Sequence, residues 1–178
     1  MPLLLRLQPP VPHNSMRLTT ISLAAILLLA PTLLRAQASS NGVEALGSAR
    51  LEALGDSLAR SGALALPLGD RGSFTYLLVH RDTTGEVEVH RDWADVMVVR
   101  AGAATVETGG TLGGGRETAP GETRGGGLRG AEPHSIAVGD VLVIPAGIPH
   151  RVVVRAGHPV TYLVVKVRWA EATPPTAR

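Results

Sequence analysis

Beyond Pro67 the chain is a succession of short runs rich in Val, Leu, Ile, Thr and Tyr, each cut off by turn residues. Strands are expected at 74–80, 87–90, 95–100, 104–107, 135–138, 141–144, 151–155 and 161–167. Turns fall at Thr84-Gly85, Ala101-Gly102, Gly139-Asp140, Pro145-Ala146-Gly147 and Gly157-His158-Pro159. Many short strands with regular turn signals fold as an all-β sandwich or barrel. Within 95–99, Asp95, Met97 and Val99 share one face, while Val96 and Val98 share the other. One face belongs to the barrel interior. The other has to be covered by a helix or by a second subunit, which makes a homodimer the candidate assembly.

The region ahead of the strands supplies one helix. Apolar residues Val43, Leu46, Leu51, Leu54 and Leu58 recur on one stripe, which predicts a helix over 43–60 with Asn41 as its cap and Gly62 as its stop. Gly47 and Gly55 make it weak unless a surface supports it. The residue pattern divides the chain into a leader at 1–38, a linker and helix at 39–66, a barrel domain at 67–170 and a flexible tail at 171–178. Residues 108–130 are very rich in glycine and read as a long loop or partly ordered hairpin inside the barrel domain, either a lid or a surface insertion.

The leader reads as a secretory signal. Arg17 precedes an apolar run over 18–34, and Ala36-Gln37-Ala38 follows it as a small-residue cleavage site. The run is short for a membrane span and contains Pro31, so no stable membrane anchor is expected after cleavage near Ala38. Met16 is the alternative start. The expected location is the periplasm or the outside of the cell. The whole chain carries 17 Lys and Arg against 15 Asp and Glu. Three of those cations (Arg6, Arg17, Arg35) belong to the leader, so the remainder is near neutral, and nucleic acid is not an expected partner. With no cysteine, disulfides, thiolate nucleophiles and zinc–thiolate sites are excluded. The glycine runs lack a following Lys-Ser/Thr, and no G-x-S-x-G occurs, so phosphate-loop and serine-hydrolase readings have no support.

The candidate site comes from two segments. In the second, Gly139 is followed five residues later by Pro145, then by Gly147 and His150. Pro145 and Gly147 suit a tight turn, and His150 opens the next strand in phase with apolar Val152 and Val154, so it points inward. In the first segment, Glu88 and His90 share a strand face and Asp95 opens the next strand. Three potential ligands converge there, and His150 would complete four.

These segments resemble the two signature motifs of the cupin superfamily, G-x5-H-x-H-x(3–4)-E-x6-G and G-x5-P-x-G-x2-H-x3-N. The second matches at Gly139, Pro145, Gly147 and His150, with Val154 in place of Asn. The first matches at His90 and Gly102, with Asp95 at the acid, Glu88 in place of the first His and Asp82 in place of the leading Gly. The resemblance covers residues 73–167. It implies a small jelly-roll β-barrel with a divalent metal (Mn, Fe, Ni or Zn) held by Glu88, His90, Asp95 and His150. Asp95 is a methylene shorter than Glu, so the reduced set Glu88, His90 and His150, with Asp95 orienting a ligand, is the variant arrangement. The metal-free alternative is a satisfied polar network of the same residues.

Two functions stay open: metal-dependent chemistry on a small molecule, dioxygenase- or isomerase-like, and a metal-free barrel that holds a sugar or organic acid without catalysis. Other residues are expected to be bland. His80, His134 and His158 read as surface residues, Trp93 as rim packing, and Tyr162 and Met97 as core. Lys166, the only lysine, reads as a solvated strand end, with an inward lysine that forms a Schiff base or pairs with the acids as the alternative.

Overall fold

The structure is a computed structural model and describes residues 42–169. The leader, the cap Asn41 and the tail lie outside the described residues.

Helix α1 spans Ser48–Ser61 and is followed by twelve strands. These are β1 Ala65–Asp70, β2 Phe74–Arg81, β3 Glu88–His90, β4 Trp93–Thr108, β5 Thr111–Gly113, β6 Arg116–Ala119, β7 Glu122–Arg124, β8 Gly127–Arg129, β9 Glu132–Ala137, β10 Val141–Ile144, β11 His150–Val153 and β12 Val160–Arg168. Ten of them form one antiparallel sheet in the order β1-β2-β12-β4-β11-β3-β7-β6, with β9 and β10 also paired to β4. The sheet curls on itself into a jelly-roll barrel with one helix ahead of the strands among the described residues, the all-β architecture expected from the sequence.

Strand β4 makes the curl. Its first half pairs with β12 and β10, and its second half pairs with β11 and β9. The sequence pattern predicted two strands with a turn at 101–102, but β4 runs unbroken through that point. Gly102 permits this: its φ is 72°, and a Cβ there would overlap the carbonyl oxygen of Pro159 on the neighbouring chain segment. The two halves of the curl enclose a core that includes Val79, Met97, Val99, Val106, Ile136 and Val164. Asp95, Met97 and Val99 are buried, while Val96 and Val98 on the opposite face are half-buried, as the alternation requires.

The helix begins five residues later than its apolar stripe suggested. Its N-cap is Gly47, which offers no side chain, so Asn41 does not cap it, and Gly62 ends it at φ 68°. Leu51, Gly55 and Leu58 are buried. A Cβ on Gly55 would stand 3.2 Å from Thr161 Cγ2 and 3.8 Å from Leu78 Cδ2. The glycine that weakens the isolated helix therefore lets it lie close against β2 and β12. Strand β1, with Pro67 and Gly69 flanking a register shift, was not foreseen and moves the start of the sheet to Ala65.

The glycine-rich segment is not a structureless loop. It folds into two nested ribbons, β5 with β8 and β6 with β7. Strand β7 pairs with β3, which attaches the segment directly to the strand carrying Glu88 and His90.

Candidate metal centre

Strand β3 presents Glu88 and His90 on one face, as period two demands. His150, first residue of β11, is paired in register with Glu88. Asp95 lies near the start of β4, and the chain reaches it by the short turn after His90. His90, Asp95 and His150 are buried, and His150 is in phase with buried Val152 and Val154. Ligand atoms of Glu88, His90 and His150 all lie within 4.8 Å of one another. Asp95 stands beside this triad: its Oδ2 is 3.5 Å from His90 Nε2 and 3.7 Å from His150 Nε2.

The imidazoles are oriented from behind. His150 Nδ1 lies 3.0 Å from the carbonyl oxygen of Ile148, which can only accept, so Nδ1 carries the hydrogen. His90 Nδ1 is bonded to the carboxylate of Glu122. In the neutral rings both Nε2 lone pairs are then left for the centre. His90 Nε2 is buried without a hydrogen-bond partner and faces Glu88 Oε2 at 3.4 Å. Two imidazole nitrogens and the oxygens of two carboxylates therefore converge, an arrangement that can hold either a shared proton or a metal ion.

The carboxylates are held as firmly. Glu88 Oε1 accepts from Arg124 Nη1 at 2.6 Å and from Arg81 Nη2 at 3.2 Å. Burial works against its charged form, but the contact with His90 and the two guanidinium groups outweigh it, and its pKa is lowered to about 2. Asp95 Oδ1 accepts from Lys166 Nζ at 2.7 Å. For His90, burial opposes protonation, yet the contact with Glu88 and the charges of Asp95 and Glu122 prevail and raise its pKa. For His150 burial is the largest influence and lowers it. Tyr162, whose hydroxyl accepts from Arg81 Nε at 3.0 Å, is kept protonated chiefly by burial.

A cavity of about 110 Å³ opens onto Glu88, Asp95 and His150, with walls that include Val79, Met97 and Tyr162. The donor set, two imidazole nitrogens and a carboxylate oxygen, could hold a metal ion.

The four residues singled out in the sequence thus meet at one place, three as a tight triad and Asp95 at its side. The remaining expectations divide. Trp93 packs at the rim under the Arg168 guanidinium, 4.6 Å from the ring centroid, and His158 is exposed. His80 and His134 are half-buried rather than free at the surface, bonded to Thr161 and Thr108. Lys166 is not a solvated strand end but points inward to Asp95. Its place two and four residues beyond Val164 and Tyr162, both buried, was the available signal. Nothing in the sequence marked Glu122, Arg81 or Arg124 as partners of the centre.

Among known structures, this chain is similar to double-stranded β-helix and cupin proteins. Known structures similar to this chain include a double-stranded β-helix protein from Klebsiella pneumoniae (14% identity, covering 59% of this chain and 77% of that one, TM-score 0.44). A second is the cupin domain of Cnp3 from Schizosaccharomyces pombe (11% identity, 59% and 60%, TM-score 0.44). A third is the DMSP lyase DddQ from Ruegeria pomeroyi (17% identity, 64% and 53%, TM-score 0.43). No family model and no curated protein sequence matches the chain.

Proposed function

We propose that this chain is an exported small cupin that holds a divalent metal ion on Glu88, His90 and His150 and acts on or senses a small molecule in the adjoining cavity. The observation that carries this reading is the buried, partnerless Nε2 of His90, facing a carboxylate and a second imidazole whose Nδ1 hydrogens are both directed outward. When bound, the metal would supply Lewis acidity toward a small oxygen ligand. The chain's own residues do the rest. Glu122 and the Ile148 carbonyl fix the two imidazoles. Arg81 and Arg124 keep Glu88 ionised. Asp95, close to both imidazoles and held by Lys166, is the group placed to take or return a proton at the cavity side. This arrangement suits isomerase- or dioxygenase-like chemistry.

The test is metal content by inductively coupled plasma mass spectrometry, on protein equilibrated with Mn, Fe, Ni or Zn salts and desalted. Near-stoichiometric metal in the wild type, lost in His90→Ala and His150→Ala, is expected. A wild type that retains none would overturn the metal reading. The second reading, a metal-free barrel binding a sugar or organic acid, is favoured by one observation: Glu88, Asp95 and Glu122 already have partners in Arg81, Arg124, Lys166 and His90.

Export rests on the leader at 1–38, and sequencing the N-terminus of protein made with its own leader tests cleavage near Ala38. Dimerisation through the outer barrel face rests on Val141 and Val143, apolar and more than half exposed beside Val98 and Val96.

A further inference from the structure

Charge is balanced around the centre before any ion enters. The carboxylates of Glu88, Asp95 and Glu122 face the guanidinium groups of Arg81 and Arg124 and the ammonium of Lys166. The two further charged residues that line the cavity are compensated elsewhere, Glu86 by Arg116 and Arg151 by Glu107. Counted without the imidazoles, three carboxylates face three cations, so these side chains leave no surplus charge around the metal-free cavity.

A divalent ion on Glu88, His90 and His150 changes that. Two positive charges arrive, and none of the nearby carboxylates is free to neutralise them, since Glu88 Oε1 is shared by two arginines and Asp95 Oδ1 is taken by Lys166. In a centre with His90 and His150 almost fully buried, uncompensated charge is costly, and the cavity is where compensation can enter. The wall nearest Glu88 carries the planar donors that match a carboxylate. Arg124 Nη1 and Arg81 Nη2 bond Glu88, Arg81 Nε bonds Tyr162, and both arginines line the cavity. The Tyr162 hydroxyl accepts from Arg81, which leaves its own hydrogen to donate.

We infer that the metal-loaded cavity selects a small aliphatic carboxylate, and that the bound ion switches this preference on. The inference rests on the metal reading above and names the ligand class for that site. The cavity volume of about 110 Å³ limits the ligand to a few heavy atoms beyond the carboxylate.

The experiment is isothermal titration calorimetry at one pH and one ionic strength, with metal content measured on the same samples. The probes are two isosteric pairs, propionate with propionamide and succinate with succinamide. They are titrated into metal-free and metal-loaded wild type and into metal-free Glu88→Gln. Loaded wild type is expected to bind at least one acid tenfold or more tighter than metal-free wild type does, with no such gain for the matching amide. Metal-free Glu88→Gln, which removes one negative charge and keeps the side-chain shape, is expected to bind the acid more tightly than metal-free wild type. Loaded protein that takes amide and acid equally, or neither, overturns the carboxylate inference and leaves metal binding standing. A wild type that retains no metal overturns the metal reading itself, and with it the switch. In that case acid binding by Glu88→Gln alone shows only that Arg81 and Arg124 can hold a carboxylate.

Discussion

The pair of imidazoles and the carboxylate of Glu88 set opposing demands on protons. Glu88 has its pKa lowered to about 2 in the folded protein. A depressed folded pKa gives stability that is complete above the unfolded value near 4.5 and is lost as pH falls toward 2. The metal-free protein should therefore lose on the order of 3 kcal/mol over that window. Urea unfolding of Glu88→Gln should show that part of the acid dependence gone. His90 moves the other way. Its raised pKa gives stability present below about 6.5 and lost as pH rises through the folded value. A metal has to displace that same proton, so metal affinity should rise with pH through and above 6.5, read by titration at a series of pH values. Glu122→Gln, which weakens the hold on His90 Nδ1, should lower metal affinity by about 10–100-fold while leaving the fold intact by circular dichroism. The ligand candidates were legible because their spacing is local: two residues apart on a strand, or in phase with apolar neighbours. Their partners were not, because Arg81, Arg124 and Glu122 reach Glu88 and His90 from other strands, and one of those strands lies in a segment whose composition gave no strand signal.

At the scale of elements, two glycines decide how the barrel closes on its site. Gly102 bends β4 from one half of the curl to the other, at φ 72° and against the carbonyl of Pro159. Gly102→Ala should cost roughly 2–4 kcal/mol, combining an unfavourable backbone region with a backbone clash. A denaturant midpoint shift with an unchanged slope is the expected reading. Gly55→Leu should detach α1 from Leu78 and Thr161 and lower the thermal midpoint, whereas Gly47→Ser, which supplies the missing cap, should raise stability by only a few tenths of a kcal/mol. The alternation of apolar residues made most strands legible, including the buried face of Asp95, Met97 and Val99. It failed where propensity was overridden. Strand β1 contains Pro and Gly, and the ribbons β5 to β8 are built on glycines at positive φ that carry no hydrophobic pattern. The helix start was misplaced because Val43 and Leu46 fall on the stripe of α1 although they precede it.

In the whole molecule, the curled sheet surrounds one candidate cation site. Metal bound only to the folded state should stabilise it by about 2.7 kcal/mol when free metal is a hundredfold above its dissociation constant. The His90→Ala protein should show no such gain. Sedimentation should find a dimer, and Val141→Lys with Val143→Lys should return it to a monomer if the outer valines carry the contact. The most direct measurement is anomalous diffraction from a crystal of the metal-loaded protein, recorded on both sides of the metal's absorption edge. One strong peak is expected within bonding distance of His90 Nε2, His150 Nε2 and a Glu88 oxygen. A loaded crystal with no peak there, or with its peak elsewhere and both imidazole nitrogens unbound, would contradict it.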